Sequence, residues 1–194
     1  AEDESYYYAA RTTGLVLSPD DDFDAGTIIV EATGETEGEK PTLLVKPNAM
    51  GMTIKNNAIT VNEENQNTLS IKRTYRTNEV MITGNIPVGS TEKEWVTVDD
   101  PTINTMNAMK EAFIEQGIRF TNTPIISRGT VPENATVILT HQSRPLKEML
   151  STFMKLSNNS MADIFVKTLG ANSYGIGDTQ TGVKVLHEYG QSIG

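Results

Sequence analysis

Cysteine is absent from this 194-residue chain, basic residues are outnumbered, and no long apolar run occurs. The lack of cysteine excludes disulfides, thiol catalysis and cysteine-ligated zinc sites, and it is compatible with both an oxidising exterior and a cytosol. With 16 Lys and Arg residues against 25 Asp and Glu residues, the net charge of −9 disfavours nucleic acid and anionic membrane surfaces as partners. No apolar run approaches the ~18 residues of a membrane-spanning helix, and the N-terminus has no signal-peptide pattern.

Short β-branched segments fill the first half of the chain, which is long enough for one large or two small domains. Between residues 11 and 98 they are separated by Gly, Pro, Asn and Asp, which favour turns. Most alternate polar with apolar side chains, so we expect sheets with one face in water. The predicted strands are 12–18, 27–32, 42–46, 52–55, 58–61, 68–74, 80–84 and 94–98.

The hydrophobic period changes to that of a helix after Pro101. Ile103, Met109 and Phe113 lie on one helical stripe, and Gly117 is placed to end that helix. Further along, the pattern predicts two more strands and three more helices. The strands are 118–127 and 136–140, and the helices are 145–156, 161–169 and 181–189.

The tripeptide Ser157-Asn158-Asn159 separates two of these predicted helices. Asn159 is placed to cap the second helix, and Ser157 projects on a similar side, so both side chains can face one cleft. A serine hydroxyl suits a proton relay, and a carboxamide can hold both a substrate carbonyl and a lysine ammonium. Ser-x-Asn is one of three elements of the sites that penicillin acylates, together with a nucleophilic Ser-x-x-Lys and a substrate-binding Lys-Thr-Gly strand. Taken alone, the tripeptide is more often only a helix cap.

Two other segments look like the missing elements but are interpreted differently. Ser90 and Lys93 form a literal Ser-x-x-Lys, but a working one needs the serine at the start of a helix, and this one precedes a predicted strand. The segment from Lys167 to Gly170 has one residue too many for Lys-Thr-Gly, and Gly170 is predicted to end a helix there. We therefore expect neither the nucleophile nor the Lys-Thr-Gly strand within this chain.

The acidic segment at residues 20–31 resembles a calcium loop in its spacing. Asp20, Asp22, Asp24 and Glu31 occupy positions one, three, five and twelve of such a loop. Ala25 replaces the glycine required at the sixth position, so an acidic turn is the preferred interpretation and a calcium-binding β module the alternative.

The two histidines do not suggest a site either. His141 and His187 are far apart in sequence, and a lone histidine is more often a packed or surface residue than a ligand or base. We predict no metal and no cofactor.

Residues 141–170, HQSRPLKEMLSTFMKLSNNSMADIFVKTLG, resemble the corresponding stretch of low-molecular-mass penicillin-binding proteins of the type-four class. These are D-alanyl-D-alanine carboxypeptidases with extra domains inserted into the catalytic domain. The match includes Ser-x-Pro-Leu at 143–146, the Met-Lys-Leu-Ser-Asn-Asn core and the Ala-Asp that follows it. Upstream, SPDDDFDAGTIIVEATG, GNIPVG and an Asp-Pro before a helix ending in Gln-Gly-Ile are similar to the inserted-domain part, so the resemblance covers most of the chain.

The resemblance implies a serine peptidase of the bacterial cell wall. In such enzymes a serine attacks the bond between the two terminal D-alanines of a peptidoglycan stem peptide and forms an acyl-enzyme that water releases; some members also cut crosslinks. β-Lactams mimic the dipeptide and leave the serine acylated. Carried onto this chain, Ser157 takes the relay role and Asn159 the orienting role. Asn158 stands where many relatives have Asp and is expected to point away from the site.

The implied fold is α+β, with β-rich inserted domains followed by a helical piece of a penicillin-binding, serine β-lactamase-like catalytic domain. We predict the end of a first inserted subdomain at 1–45, a second inserted α+β domain at 46–139, and the helical catalytic part at 140–194, where the sequence turns helix-rich. The chain is then an internal piece of an enzyme located in the bacterial cell envelope or secreted, and is inactive by itself.

The partners implied for the parent enzyme are peptidoglycan stem peptides and β-lactams, with no nucleic acid and no transmembrane segment. Helices that lack the sheet of the catalytic domain would expose an apolar face, so self-association is also predicted. The alternative is a non-catalytic cell-wall binding or scaffolding module whose Ser-Asn-Asn only caps a helix. The preference between carboxypeptidase and endopeptidase activity and the stem peptide recognised stay open.

Overall fold

The computed structural model describes residues 5–47 and 51–194. Within these ranges the chain is α+β, as predicted, with a β-rich half followed by four α-helices. None of these helices has the length and apolar character that crossing a bilayer requires. A 3₁₀ turn at Tyr7–Ala9 precedes the strands β1 (Thr27–Thr33), β2 (Thr42–Lys46), β3 (Thr53–Asn56), β4 (Ile59–Val61), β5 (Ser70–Arg73), β6 (Glu79–Thr83), β7 (Asn85–Pro87) and β8 (Thr91–Thr97).

The described strands form three small sheets. In the first, β1 lies between antiparallel β2 and β8, so that Ile29 pairs with Lys46 on one side and with Trp95 on the other. In the second, β6 lies between parallel β3 and antiparallel β5. The third is the parallel pair of β4 and β7. Because β1 and β8 are far apart in sequence, their pairing closes the β-rich half.

One apolar core holds the sheets together. The first four residues of β1 and its sixth residue, Ala32, are buried, which explains why its sequence TIIVEAT lacks a clean polar alternation. The edge strand β2 instead alternates between exposed and half-buried residues. The predicted boundary between the first two domains lies at residue 45, and strands from both sides of it contribute to this core. The division into three domains stays a prediction. The core residues are Ile28, Val30, Ala32, Ala58, Ile71, Val80, Ile82, Val96 and Val98.

Three of the four helices begin at a side-chain cap. They are α1 (Pro101–Glu115), α2 (Leu146–Leu156), α3 (Asn159–Tyr174) and α4 (Thr179–Ile193). Asp100, Asn158 and Asp178 each accept a hydrogen bond from the third main-chain N–H of the helix that follows. Helix α2 has no side-chain cap, and all four helices fall where the hydrophobic pattern predicts them.

Helices α3 and α4 pack closely through two glycines. A Cβ on Gly182 would lie 1.9 Å from the main-chain oxygen of Val166, and one on Gly170 would lie 2.6 Å from that of Ile176. Gly170 therefore allows α4 to approach α3 closely. It does not end a helix, so that prediction is wrong. Helix α3 continues past it and ends at Gly175, which has the left-handed conformation typical of a helix stop.

Three predicted strands do not form in the described ranges. Residues 12–18, 118–127 and 136–140 form no ladder with any strand there. A strand is stable only when its main-chain groups find a partner, and here side chains such as Ile125 and Ile138 are 90% and 96% exposed. Conversely, β7 is not predicted, because it has only three residues and contains Pro87.

Candidate functional site

Ser157 ends α2 in a left-handed backbone conformation, with φ 51° and ψ 44°. This position after a helix is usually taken by glycine, because other residues there are strained by ~1–2 kcal/mol. Non-glycine residues held in this region concentrate at functional sites. The strain at Ser157 therefore marks this junction as a candidate site, independently of its sequence motif.

The side chains of residues 157–160 alternate between solvent and interior. Ser157 and Asn159 are exposed, whereas Asn158 and Ser160 are 4% and 5% exposed. Because Asn159 is the first residue of α3, both exposed side chains lie at one junction between helices. The two residues predicted to act in catalysis thus face solvent at the same place.

Asn158, and not Asn159, caps α3. Its Oδ1 accepts a hydrogen bond from the main-chain N–H of Met161 at 2.9 Å. Its Nδ2 donates to the main-chain oxygen of Asp22 at 3.1 Å and to Oδ1 of Asp24 at 3.0 Å. The Asn158 amide therefore joins the start of α3 to the segment that precedes β1.

That segment, the acidic loop (residues 20–24), is held from two sides. Ser160 Oγ donates to the main-chain oxygen of Ala25 at 3.4 Å, next to the loop. Trp95 in β8 donates from Nε1 to Oδ2 of Asp20 at 2.8 Å. A cleft of about 240 Å³ lies between these contacts. Its lining residues are Asp22, Asp24, Trp95, Leu156 and Asn158.

Asp24 is the titrating group of this cleft. Burial raises its pKa to about 6, and the nearby Asp20 and Asp22 carboxylates add to the increase. The hydrogen bond from Asn158 and the charge of Lys93 act in the opposite direction. The carboxyl beside the Ser-Asn-Asn tripeptide therefore changes charge in a range where an ordinary aspartate is already ionised.

A second polar cluster lies along α3. Asp163 forms an ion pair with Lys167 at 2.7 Å, and Lys167 Nζ also donates to Thr12 Oγ1 at 2.8 Å. Burial raises the pKa of Asp163, but the hydrogen bonds from Lys167, Thr12 and Thr179 outweigh it and hold that pKa below its usual range. Lys167 thus ties α3 to the segment around residue 12, and it lies in a helix, where no Lys-Thr-Gly strand is formed.

The literal Ser-x-x-Lys lies in extended structure. Ser90 directly precedes β8, and Lys93 lies within it, with Nζ 4.2 Å from the ring centroid of Trp95. The helix turn that brings a serine and a lysine onto one face is missing at this position. The segment lacks the geometry of a nucleophile with its lysine base.

The calcium-loop and histidine candidates are dispersed. Glu31 lies in β1, while the aspartates stay in the acidic loop, and among the described residues no group of three or more acidic or histidine side chains is placed to hold a metal. His187 contacts Gln191 on α4 at 3.1 Å, and His141 lies exposed before α2.

A sequence model of the D-Ala-D-Ala carboxypeptidase 3 (S13) family matches residues 1–194. The chain belongs to this family. A D-alanyl-D-alanine carboxypeptidase of Actinomadura sp. (strain R39) is 30% identical over 197 residues, an alignment that covers 100% of this S13 chain and 36% of that relative. The chain thus spans about a third of the length of the curated relative that it matches.

Two solved structures of penicillin binding protein 4 from Haemophilus influenzae share the fold of this S13 chain. The first has a TM-score of 0.68 at 14% identity, and the alignment covers 100% of this chain and 42% of that structure. The second, which is complexed with a β-lactam, has a TM-score of 0.59 at 16% identity, and the alignment covers 85% of this chain and 38% of that structure. At these identities the structures show the fold alone, and together with the family match they confirm the resemblance to type-four penicillin-binding proteins.

The contact between the acidic loop and Asn158 is the feature that sequence reasoning does not find. The sequence marks SPDDDFDAG only as a turn, a weak calcium pattern and part of the family resemblance. The two groups are 134 residues apart, and no spacing rule connects them.

Proposed function

We propose that this S13 chain supplies the Ser-x-Asn element of a serine-type D-alanyl-D-alanine carboxypeptidase. The observation that carries the proposal is that Asn158 performs the capping, which leaves Ser157 and Asn159 exposed and, within the described residues, without side-chain hydrogen bonds. Residues that served only as helix caps would be engaged with main-chain N–H groups. Because the side chains of Ser157 and Asn159 are not used as caps, they are available to contact a ligand, which favours this proposal over the scaffolding alternative.

In the proposed reaction, a serine of the parent enzyme gives its hydroxyl proton to the lysine of the Ser-x-x-Lys and attacks the carbonyl carbon of the penultimate D-alanine. The tetrahedral intermediate collapses, the C–N bond breaks, and the leaving D-alanine amine takes a proton through the hydroxyl of Ser157. The carboxamide of Asn159 holds the substrate carbonyl and the lysine of the nucleophile element. Water then hydrolyses the acyl-enzyme, and a β-lactam stops the cycle at that ester.

The nucleophilic Ser-x-x-Lys and the Lys-Thr-Gly strand are proposed to lie in parts of the parent protein outside this chain. The 194 residues contain a single Ser-x-x-Lys, which lies at the start of β8. The chain alone is therefore inactive. Because peptidoglycan is assembled outside the cytoplasm, the parent acts in the cell envelope or after secretion. Self-association of the isolated chain through its helices stays a prediction, with Leu146, Met154 and Leu156 of α2 exposed.

The test is acylation by a fluorescent penicillin. We expect the full-length parent to be labelled and the isolated 194-residue chain to stay unlabelled. In the parent, Ser157→Ala should slow acylation by about 10²- to 10⁴-fold, the usual contribution of a proton-transfer group, and Asn159→Ala should slow it as well. Ser90→Ala serves as the control and should react like the wild type. Labelling of the isolated chain, or loss of labelling in Ser90→Ala, would contradict the proposal.

A further inference from the structure

We propose that Asp24 is a positioning residue for the Ser-x-Asn element, acting through the side-chain amide of Asn158. This inference rests on the proposed function. It assigns a role in the reaction to the inserted β-rich half of the chain, because Asp24 lies immediately before β1 and about 130 residues before the tripeptide.

The Asn158 amide can take only one orientation. Its Oδ1 faces the N–H donor of Met161, and its Nδ2 faces two acceptors, the carboxylate of Asp24 and the main-chain oxygen of Asp22. A flipped amide would place oxygen against two acceptors and nitrogen against a donor. With 4% of Asn158 exposed, water cannot replace a lost partner easily. The Asp24 carboxylate thus fixes one of the two N–H groups of this amide.

The neighbouring structure gives the tripeptide little other support. Helix α2, which ends at Ser157, has no buried residue. The hydrogen bonds from this junction to the β-rich half are those of Asn158 and Ser160; the ion pair of Arg144, which precedes α2, with Asp21 at 3.1 Å is exposed to solvent and therefore weak. Ser157 and Asn159 flank Asn158 directly, so a displacement of Asn158 moves both of the side chains proposed to act on substrate.

Asp24 is itself held in place. Its main-chain oxygen accepts a hydrogen bond from Thr27 Oγ1 at 2.6 Å. Two residues later, the main-chain N–H of Gly26 donates to the oxygen of Leu17 at 3.0 Å, and its oxygen accepts from the N–H of Val98 at 3.0 Å. Gly26 has a left-handed φ of 79°, and a Cβ there would lie 2.5 Å from the main-chain oxygen of Arg11, so only glycine fits at this position. The main chain that carries the Asp24 carboxylate is therefore held at the start of β1.

The charge of Asp24 tunes the contact with Asn158. The groups that act on it are Asp20 and Asp22 from its own loop, Lys93 from β8 and Asn158 from α3, and together with burial they raise its pKa to about 6. Above that pH the hydrogen bond from Asn158 is charge-assisted, and below it the acceptor is neutral and weaker. An effect that acts through this contact carries a pH dependence that a general loss of folding would not show.

The test uses the full-length parent and the second-order rate of acylation by a fluorescent penicillin from pH 5 to pH 8. We expect Asp24→Ala to slow acylation about 10- to 100-fold at pH 8, the range expected when reacting groups are misplaced. Asp24→Asn keeps a neutral acceptor for Asn158 and should recover only part of the lost rate at pH 8, because the charge of the acceptor is missing. The matched control is Asp22→Asn, which removes a charge from the same loop but keeps the main-chain oxygen that Asn158 uses; it should stay within about twofold of the wild type at pH 8.

The ratio of the Asp24→Asn rate to the wild-type rate decides the case even if Asp24→Ala does not fold. We expect it to be near one at pH 5, where Asp24 is protonated, and to fall as pH rises through about 6. A ratio independent of pH, or an Asp24→Ala rate equal to that of the wild type, overturns the positioning role while leaving the proposed function intact. A wild-type parent that is not labelled at all removes the proposed function, and this inference falls with it.

Discussion

Replacing Asn158 by Asp tests the contact between α3 and the acidic loop most directly. Asp caps a helix about as well as Asn, so the hydrogen bond from the main-chain N–H of Met161 would be kept. A carboxylate oxygen would, however, replace the Nδ2 that lies 3.0 Å from Oδ1 of Asp24 and 3.1 Å from the main-chain oxygen of Asp22. Three acceptors would then face one another without a proton between them.

Two contributions set the size of the effect. A hydrogen bond to a charged acceptor is lost, which costs about 1.5–3 kcal/mol. Repulsion between two carboxylates ~4 Å apart adds at most about 4 kcal/mol at an effective dielectric constant of 20, and less here because Asp24 is only half-buried and can take up a proton. We expect Asn158→Asp to lower the free energy of unfolding by about 2–4 kcal/mol at pH 8.

The loss should be smaller at pH 5. The pKa of Asp24 is already raised to about 6 in the folded protein, and a second carboxylate beside it raises that pKa further. A group with a raised folded pKa contributes stability that is present below its unfolded pKa near 4 and lost as pH rises through the folded value. At pH 5 the proton shared by the two carboxyls restores a hydrogen bond between them.

Urea denaturation of the wild type and Asn158→Asp at pH 5 and pH 8 measures this difference. Asn159→Asp is the matched control, because Asn159 is exposed and a negative charge in the first turn of α3 is tolerated; its free energy of unfolding should change by less than about 0.5 kcal/mol. Equal stability of Asn158→Asp and wild type at pH 8, or the same deficit at both pH values, would refute the contact.

Three further changes probe the same half of the chain. Ser157→Gly should raise the free energy of unfolding in urea by about 0.5–1 kcal/mol, because glycine relieves the strain of the left-handed backbone. A decrease would show that the backbone at Ser157, with φ 51°, is not strained. Gly182→Ala should lower the free energy of unfolding by about 1–3 kcal/mol, because the new Cβ would clash with the main-chain oxygen of Val166. The control Gly190→Ala, whose Cβ would have nothing within 4 Å, should be neutral or stabilising. Equal effects of the two variants would contradict the close packing of α3 on α4. Asp163→Asn should cost about 1 kcal/mol at pH 7. Since the folded pKa of Asp163 is lowered, its contribution to stability is present above its unfolded pKa near 4 and is lost as pH falls through the lower folded pKa. Thermal melts should therefore show a smaller cost at pH 3 than at pH 7; a constant difference would mean that the carboxylate charge is unimportant.

Local patterns in the sequence are sufficient for most of the secondary structure. The alternation in strands such as β5 and the helical stripe of Ile103, Met109 and Phe113 in α1 are short-range features, and each predicts its element from a few neighbouring residues. The errors arise where an element depends on distant chain. Residues 118–127 have strand composition but find no ladder partner in the described ranges, and Gly170 is placed by the approach of α4 and not by the end of its own helix.

By itself, the sequence determined the α+β class, the four helices, the exclusion of thiol chemistry and the family resemblance carried by residues 141–170. It also singled out Ser157 and Asn159, because Ser-x-Asn between two helices is a local pattern. Only the tertiary structure decided that Asn158 takes over the capping, that Ser157 is strained, and that Asp24 is the partner of Asn158. The contacts of Asn158 and Ser160 with residues 22–25 join groups more than a hundred residues apart, and such contacts exist only after the β-rich half and α3 have packed together.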